Sequence, residues 1–163
     1  MTVTIFLGSD SDFDMIKEGL EIFKEFGVSY NLEVTSAHRS PERTSRLIKE
    51  AEKSGTKVFI AVAGKAAHLP GVVAAQTVLP VIGVPVESQA LAGLDALLSI
   101  VQMPKGIPVA TVALGKTGGA NAALLAISIL ALSDDGLRTR LISYRQKMAE
   151  KVEESSRRLK EKL

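Results

Sequence analysis

The chain contains two histidines, and both occur in short polar segments that follow apolar, β-rich runs. His38 lies in Ser-Ala-His-Arg-Ser-Pro (residues 36–41), and His68 lies in a segment with glycine at both ends (residues 64–71). Histidine gains and loses a proton near neutral pH, which suits acid–base catalysis. His68 is therefore a candidate general acid and base, with a structural hydrogen-bonding role as the alternative. For His38 the sequence leaves open a contact with substrate or a hydrogen bond that fixes its loop.

A third polar segment, Gly-Ser-Asp-Ser-Asp at residues 8–12, precedes a predicted helix. Backbone N–H groups and a hydroxyl at a helix N-terminus bind phosphate, and Ser9 is the candidate for that contact. A carboxylate would repel phosphate, so Asp12 is assigned instead to hydrogen bonds from ribose hydroxyls. Capping of the helix by Asp10 or Asp12 is the alternative interpretation.

Two cations accompany the histidines. Arg39 is a candidate phosphate ligand, because guanidinium keeps its charge and forms paired hydrogen bonds; an ion pair with Glu42 or another acidic neighbour is the alternative. Ser36 belongs to the same segment and is also assigned to substrate binding. Lys65, three residues before His68, would bind a carboxylate or phosphate of the substrate or point into solvent.

Small residues surround His68. Gly64, the alanines at 66 and 67, and Gly71 would let the backbone approach a planar ligand. We assign Gly64, Ala67 and Leu69 to substrate binding. A further glycine-rich segment, residues 115–119, would either cradle another part of the ligand or form a turn into the next helix, and it lacks the phosphate-loop pattern.

The carboxylates near the N-terminus also allow a weaker interpretation. Asp10, Asp12, Asp14 and Glu21 have the ligand spacing of a calcium loop. Met15 occupies the position where that loop needs glycine, and the segment is itself predicted to be helical. We therefore expect no metal and no bound cofactor.

Composition limits the class of protein. The 163 residues are 46% hydrophobic and 23% charged, typical of one globular domain, and the absence of Cys excludes disulfides and thiolate sites. A net charge of +2 without a basic stripe that alternates with aromatic residues argues against nucleic acid. No signal peptide is recognised, and the longest apolar stretch is shorter than the ~20 residues that span a bilayer. We expect a cytoplasmic protein with a small-molecule partner.

Apolar runs alternate with helical patterns along the chain. Such alternation predicts a parallel sheet covered on both faces, that is, a three-layer αβα sandwich of the doubly wound type. Ligands of such sheets bind beyond the carboxyl ends of the strands, where the polar segments lie. The predicted strands are residues 3–7, 28–35, 57–63, 81–84 and 109–114, and the predicted helices are residues 12–26, 41–54, 71–77, 91–101 and 121–132.

The last 30 residues differ in composition from the rest. Residues 1–133 are predicted to form the catalytic domain, and residues 134–163 a long charged helix with one apolar stripe. The stripe would pack on its own domain or, as we favour, on a neighbouring subunit. Its members are Leu137, Leu141, Tyr144, Met148, Val152 and Leu159.

Residues 3–132 resemble the class I N5-carboxyaminoimidazole ribonucleotide mutases. The resemblance rests on five motifs that occur in the family's order. They are Ser-Asp-Ser-Asp (9–12), Ser-Ala-His-Arg (36–39), Ala-Ala-His-Leu-Pro-Gly (66–71), Leu-Pro-Val-Ile-Gly-Val-Pro (79–85) and Leu-Leu-Ser-Ile-Val-Gln-Met-Pro (97–104).

The resemblance implies a flavodoxin-like fold, a homo-octamer and a cofactor-free step of purine (IMP) biosynthesis. In that step the carboxyl group of N5-carboxyaminoimidazole ribonucleotide is lost and regained at ring carbon 4. The family's phosphate and ribose contacts carry over onto Ser9, Asp12 and Arg39. Its acid–base role carries over onto His68, and His38 lines the site.

Three positions, in two segments, depart from the family pattern. Lys65 and Lys105 stand where the family usually has glycine, and Val62 replaces another glycine. Related class II enzymes, which carboxylate aminoimidazole ribonucleotide (AIR) with free carbon dioxide, carry a basic residue near Lys65, so an AIR carboxylase is the alternative function. A phospho-receiver is disfavoured because the third strand does not end in Asp, and a flavin carrier is disfavoured because the chain has no Trp and two Tyr.

Overall fold

The computed structural model describes residues 3–162 and has five strands and six α-helices in that range. A 3₁₀ turn (Asp10–Asp12) precedes the first helix. The strands are β1 (Val3–Leu7), β2 (Tyr30–Val34), β3 (Val58–Gly64), β4 (Val81–Val86) and β5 (Ala110–Thr111). The helices are α1 (Phe13–Glu25), α2 (Pro41–Lys53), α3 (Leu69–Ala74), α4 (Leu94–Val101), α5 (Gly115–Leu130) and α6 (Asp135–Lys160).

The five strands form one parallel sheet in the order β2-β1-β3-β4-β5. The chain moves outward from β1 to β2, then crosses back to β3 on the other side of β1, so the strand order reverses between β1 and β3. This is the flavodoxin-like arrangement, and it confirms the predicted fold class. The sheet is built from near-continuous apolar runs because both of its faces are covered.

One face of the sheet packs on α2, α3 and α4. Phe6 of β1 and Phe59 of β3 stack with their ring centroids 5.6 Å apart. Ile48 of α2, Val73 of α3 and Ile100 of α4 belong to the same buried cluster. The helices on this face carry the chain between successive strands, which fixes the positions of the loops at both strand ends.

The other face packs on α1 and α5, which approach each other at glycine. A methyl group added to Gly119 of α5 would collide with the backbone carbonyl of Met15 of α1. One added to Gly19 of α1 would lie 2.6 Å from the carbonyl oxygen of Gly119. One added to Gly118 would collide with the backbone of Ala113. Gly19 and Gly119 therefore let the backbones of α1 and α5 meet, and Gly118 lets α5 lie against the segment that follows β5.

Two predicted elements have different bounds in the structure. Residues 115–119, expected either to cradle ligand or to form a turn into the next helix, are the first turn of α5, and Gly119 among them lies against the backbone of α1. The fifth strand, expected over residues 109–114, is shorter in the structure and pairs with β4 at Ala110–Thr111.

The helix predicted from residue 134 is α6. Asp134 caps it by accepting a hydrogen bond from the backbone N–H of Leu137 at 2.9 Å. Along the apolar stripe, Leu137 is buried, whereas Met148, Val152 and Leu159 are 52%, 69% and 64% exposed in the single chain. Over residues 3–162, no helix combines the length and apolarity needed to cross a membrane.

Gly119→Ala tests the contact between α1 and α5. We expect the free energy of unfolding to fall by about 1–3 kcal/mol, because the methyl group can be accommodated only if the two helix backbones move apart. Gly8→Ala is the control, since a methyl group there would meet its neighbours at 3.4 Å or more. Urea unfolding of both variants measures the difference; equal stability of the two would contradict the packing described.

Candidate active site

The loops that follow β1, β2 and β3 meet at the reversal point of the sheet. The backbone N–H of Gly8 bonds to the carbonyl oxygen of Val62 at 2.9 Å, which joins the first loop to β3. The guanidinium of Arg39 bonds to the carbonyl oxygen of Gly8 at 3.3 Å, and His38 bonds to His68. Side chains and backbone of three separate segments therefore form one connected surface.

The first loop is held by a reciprocal pair of capping interactions. The Asp12 carboxylate accepts the backbone N–H of Ser9 at 3.0 Å, and the Ser9 hydroxyl accepts the backbone N–H of Ser11 at 3.3 Å. Ser9 is thus the N-cap of the 3₁₀ turn, and Asp12 completes its capping box. Asp12 also occupies the N-cap position of α1, but its side chain makes no capping hydrogen bond to that helix. The bond to Ser9 uses one carboxylate oxygen and leaves the other for a ligand.

Asp12 is a buried carboxyl group, only 8% exposed. Burial raises its pKa above the usual range, the hydrogen bond from the Ser9 backbone opposes that change, and the neighbouring Asp10 charge adds to it. A carboxylate that has lost most of its water accepts hydrogen bonds from a ligand at a lower desolvation cost. Asp12 is therefore suited to a neutral polar group such as a sugar diol.

Hydroxyl groups that we did not single out in the sequence hold the second loop. The hydroxyls of Thr35 and Thr44, both buried, share a hydrogen bond of 2.8 Å. The Ser40 hydroxyl accepts the backbone N–H of Ser36 at 3.1 Å, and Thr44 donates to the carbonyl oxygen of Ser40 at 3.2 Å. The cluster of Ser and Thr around the start of α2 is the sequence signal that could have identified these positioning residues.

Arg39 is held by polar contacts without an acidic partner. Its Nε and its backbone N–H both donate to the Ser36 hydroxyl, at 3.4 and 3.2 Å. In the described part of the chain, the ion pairs are Lys24–Glu21 and Arg43–Glu33, so the proposed pairing of Arg39 with Glu42 does not occur. Arg39 remains exposed, with its charge free to meet an anion beside the Ser9 loop.

The two histidines form a hydrogen-bonded pair. His38 Nε2 and His68 Nδ1 lie 2.7 Å apart, and the rings are nearly perpendicular, with centroids 4.8 Å apart. One ring must donate and the other accept, so a single proton lies between these two nitrogens and the outer nitrogen of each ring stays available. Both side chains are exposed at the loop surface, where a ligand can reach them.

The third loop combines buried small residues with one strained lysine. The side chains of Ala67 and Leu69 are buried in the core, so any ligand contact of these two residues would come from backbone atoms. A methyl group on Gly64 would lie 3.3 Å from Cβ of Val86, which explains the glycine by strand packing. Lys65 is exposed and has φ of 56°, a left-handed conformation that costs an L-residue roughly 1–2 kcal/mol relative to glycine.

The comparison with protein families covers most of the chain. Residues 2–151 match the family described as AIR carboxylase (AIRC). The chain belongs to this family.

Relatives of the family share half of their residues with this chain. The N5-carboxyaminoimidazole ribonucleotide mutase of Pyrococcus horikoshii is 55% identical over 159 residues, covering 98% of this chain and 89% of its own. The mutase of Escherichia coli K12 is 51% identical, covering 94% of this chain and 90% of its own. A crystal structure of Treponema denticola PurE superposes with a TM-score of 0.89 at 33% identity, covering 97% and 98% of the two chains.

Membership of the AIR carboxylase family agrees with the arrangement at the sheet edge. The three loops that meet there contain Ser9, Asp12, Ser36, His38, Arg39, Lys65 and His68, and Gly64 is the last residue of β3 beside them. In the described residues, no group of three or more His, Asp or Glu side chains is placed to hold a metal ion.

Asp12→Asn tests the buried carboxyl group. The raised folded-state pKa means that the fold favours the neutral carboxyl group over the carboxylate. The stabilisation from the neutral form is fully present below the unfolded pKa of about 3.9 and is lost as pH rises through the folded pKa. Asn keeps an oxygen for the Ser9 N–H and carries no charge. We expect the variant to be at least as stable as the parent at pH 7, with the two converging near pH 3, and to bind nucleotide about tenfold more weakly.

The control for this variant is Asp14→Asn, which makes the same charge change at an exposed position in the first turn of α1. Chemical denaturation at several pH values and calorimetric titration with nucleotide provide the readouts. A marked loss of stability in Asp12→Asn at pH 7 would contradict the electrostatic argument.

Proposed function

We propose that this member of the AIR carboxylase family is an N5-carboxyaminoimidazole ribonucleotide mutase of purine biosynthesis. The observation that carries the proposal is the His38–His68 pair at the reversal point of the sheet, in a chain that matches mutases over more than nine-tenths of its length. The reaction moves a carboxyl group from the exocyclic nitrogen to ring carbon 4 of the same nucleotide.

The charged and polar groups define how the nucleotide would bind. Arg39 and the Ser9 loop take the phosphate, because they combine a guanidinium that has no acidic partner among the described residues with the hydroxyls of Ser9 and Ser11 at a helix start. Asp12 accepts hydrogen bonds from the ribose. The imidazole ring of the nucleotide then lies toward the histidine pair, beside the third loop. Gly64 and Ala67 are small there, so the ring can approach the backbone closely.

The chemistry needs one proton to be given and one to be taken back. The bond between the exocyclic nitrogen and the carboxyl carbon breaks, its electrons stay on nitrogen, and carbon dioxide and the free amine form once that nitrogen gains a proton. Ring carbon 4, which is enamine-like, attacks the carbon dioxide and becomes tetrahedral. Loss of its hydrogen restores the aromatic ring, and the proton returns to the enzyme.

The histidine pair is the group placed to move that proton. His68 was assigned the acid–base role from its motif, and the hydrogen bond makes His38 its partner. With one proton between the rings, donation from the outer nitrogen of one ring can be balanced by transfer across the pair. We therefore infer that both rings are needed, with the pair rather than one isolated imidazole as the acid–base unit.

A second candidate function is an AIR carboxylase that uses free carbon dioxide, the activity in the family's description. Lys65 is the observation that favours it, since a cation on the loop beside the histidines would also attract bicarbonate or hold a carboxylate formed from carbon dioxide. The two functions share the carbon-4 step and differ in the source of the carboxyl group.

The deciding experiment compares two substrates with the purified protein. We expect turnover of N5-carboxyaminoimidazole ribonucleotide at low bicarbonate, and turnover of AIR only at high bicarbonate. In the same assay His38→Asn and His68→Asn should each lose at least 100-fold in kcat, because Asn forms hydrogen bonds but carries no transferable proton. Nucleotide binding should persist in both variants. Efficient use of AIR alone would establish the carboxylase, and near-normal kcat in either variant would remove that ring from the proton path.

We further propose that the protein is a cytoplasmic homo-octamer and that α6 forms part of the subunit contact. Met148, Val152 and Leu159 extend one apolar stripe and are more than half exposed in the single chain. Exposed apolar residues of α4, Leu94 and Leu98 among them, offer a second surface of the same kind. Apolar stripes of this size in a soluble protein mark contacts with another chain.

Val152→Lys tests the role of α6 in assembly. We expect the mass measured by multi-angle light scattering to fall, because an ammonium group would be desolvated in the contact. Ile142→Lys is the matched control: Ile142 is 61% exposed on the same helix but lies about 100° around from the stripe. An unchanged octamer in Val152→Lys, or equal dissociation in both variants, would count against this interface.

A further inference from the structure

Lys65 has a strained backbone conformation, and no side-chain contact with the described residues compensates for that strain. It is one of two non-glycine residues among 3–162 with positive φ, the other being Ala92. Its side chain is exposed and forms no hydrogen bond or ion pair with any described residue. A strained residue that nothing in the fold requires is typical of a functional position.

The turn that carries Lys65 also carries His68. Residues 65–68 are the whole connection between β3 and α3, and within it the backbone N–H of His68 bonds to the carbonyl oxygen of Ala66 at 2.8 Å. Arg39, by contrast, is attached to the loops after β1 and β2, through Gly8 and Ser36. These two exposed cations therefore stand on different loops: Arg39 follows His38 and is bonded to the Ser9 loop through Gly8, and Lys65 is on the turn that carries His68.

The nucleotide of the proposed reaction carries two anionic groups at opposite ends, a phosphate and a carboxylate. The proposed phosphate contacts occupy the Arg39 end. The carboxylate, on the exocyclic nitrogen before reaction and on carbon 4 afterwards, lies at the end where the histidines act. An ammonium group is a compact charge with three donors, able to follow a carboxylate between two neighbouring ring positions.

We propose that Lys65 binds the migrating carboxylate and thereby makes the site selective for carboxylated over uncarboxylated aminoimidazole ribonucleotide. This inference rests on the proposed function. Because the contact is made with the carboxylated nucleotides before and after transfer, its loss raises KM and weakens product binding while kcat changes little. Lys65 is thus a specificity-determining residue rather than a proton donor.

The experiment measures the affinity of the full-length protein for two ligands, AIR and the carbon-4 carboxylated product, by calorimetric titration. Lys65→Ala removes the ammonium but keeps a side chain in the left-handed conformation, and Lys65→Gly removes both charge and strain. Lys65→Arg retains a cation. Lys49→Ala, at an exposed position of α2, makes the same change in net charge away from the site.

We expect Lys65→Ala and Lys65→Gly to lose at least tenfold in affinity for the carboxylated nucleotide and less than twofold for AIR. Lys65→Arg should stay within about threefold of the parent for both ligands, and Lys49→Ala should match the parent. Lys65→Gly should also melt at a higher temperature than Lys65→Ala, which separates the strain from the charge.

Other outcomes overturn the inference in distinguishable ways. An equal loss for both ligands would place Lys65 on the phosphate or ribose that they share, and no loss for either would make it a solvent-exposed lysine. A parent protein that binds and converts normally alongside such results would leave the proposed function intact. A parent that binds neither nucleotide would overturn the proposed function, and this inference with it.

Discussion

The parallel pairing of β1 with β2 on one side and β3 on the other is the constraint on which the candidate site depends. Parallel strands direct their carboxyl ends to the same edge, and the order reversal at β1 separates the helices that follow β1 and β3 onto opposite faces. The loops after these strands are thereby left uncovered and adjacent. The contact of Arg39 with Gly8 and that of His38 with His68 both follow from this arrangement.

The sheet can hold this geometry because its helices are tightly seated. Glycines at 19 and 119 allow α1 and α5 to touch through their backbones, and Phe6 and Phe59 fill the opposite face with α2, α3 and α4. Rigid layers fix the strand ends, and hydroxyl networks such as Thr35–Thr44 then fix the loops. Apolar packing in the sheet layers therefore fixes the strand ends, and hydrogen bonds between hydroxyl groups fix the loop that carries His38 and Arg39.

The charged and polar groups of the candidate site are distributed over its three loops. Arg39 supplies a cation beside the Ser9 loop, Asp12 is a desolvated acceptor, and the two histidines share a hydrogen bond. Lys65 adds a second cation on the turn that carries His68, in a backbone conformation that glycine would adopt more easily. The function we propose uses this distribution, because its nucleotide carries a phosphate and a carboxylate as two separate anionic groups.

The sequence by itself determined the fold class and which loops carry the candidate site residues, because apolar periodicity and local loop motifs are encoded in neighbouring residues. Only the tertiary structure decided which loop residues touch. The pairing of His38 with His68 joins segments 30 residues apart in the chain. Among the described residues Arg39 has no acidic partner, which the sequence around it did not indicate. The positive φ of Lys65 arises in the short connection between β3 and α3. Residues 115–119 show the same limit: their composition suits a ligand loop or a helix start equally well, and the close approach of α1 to Gly119 is visible only in the tertiary structure.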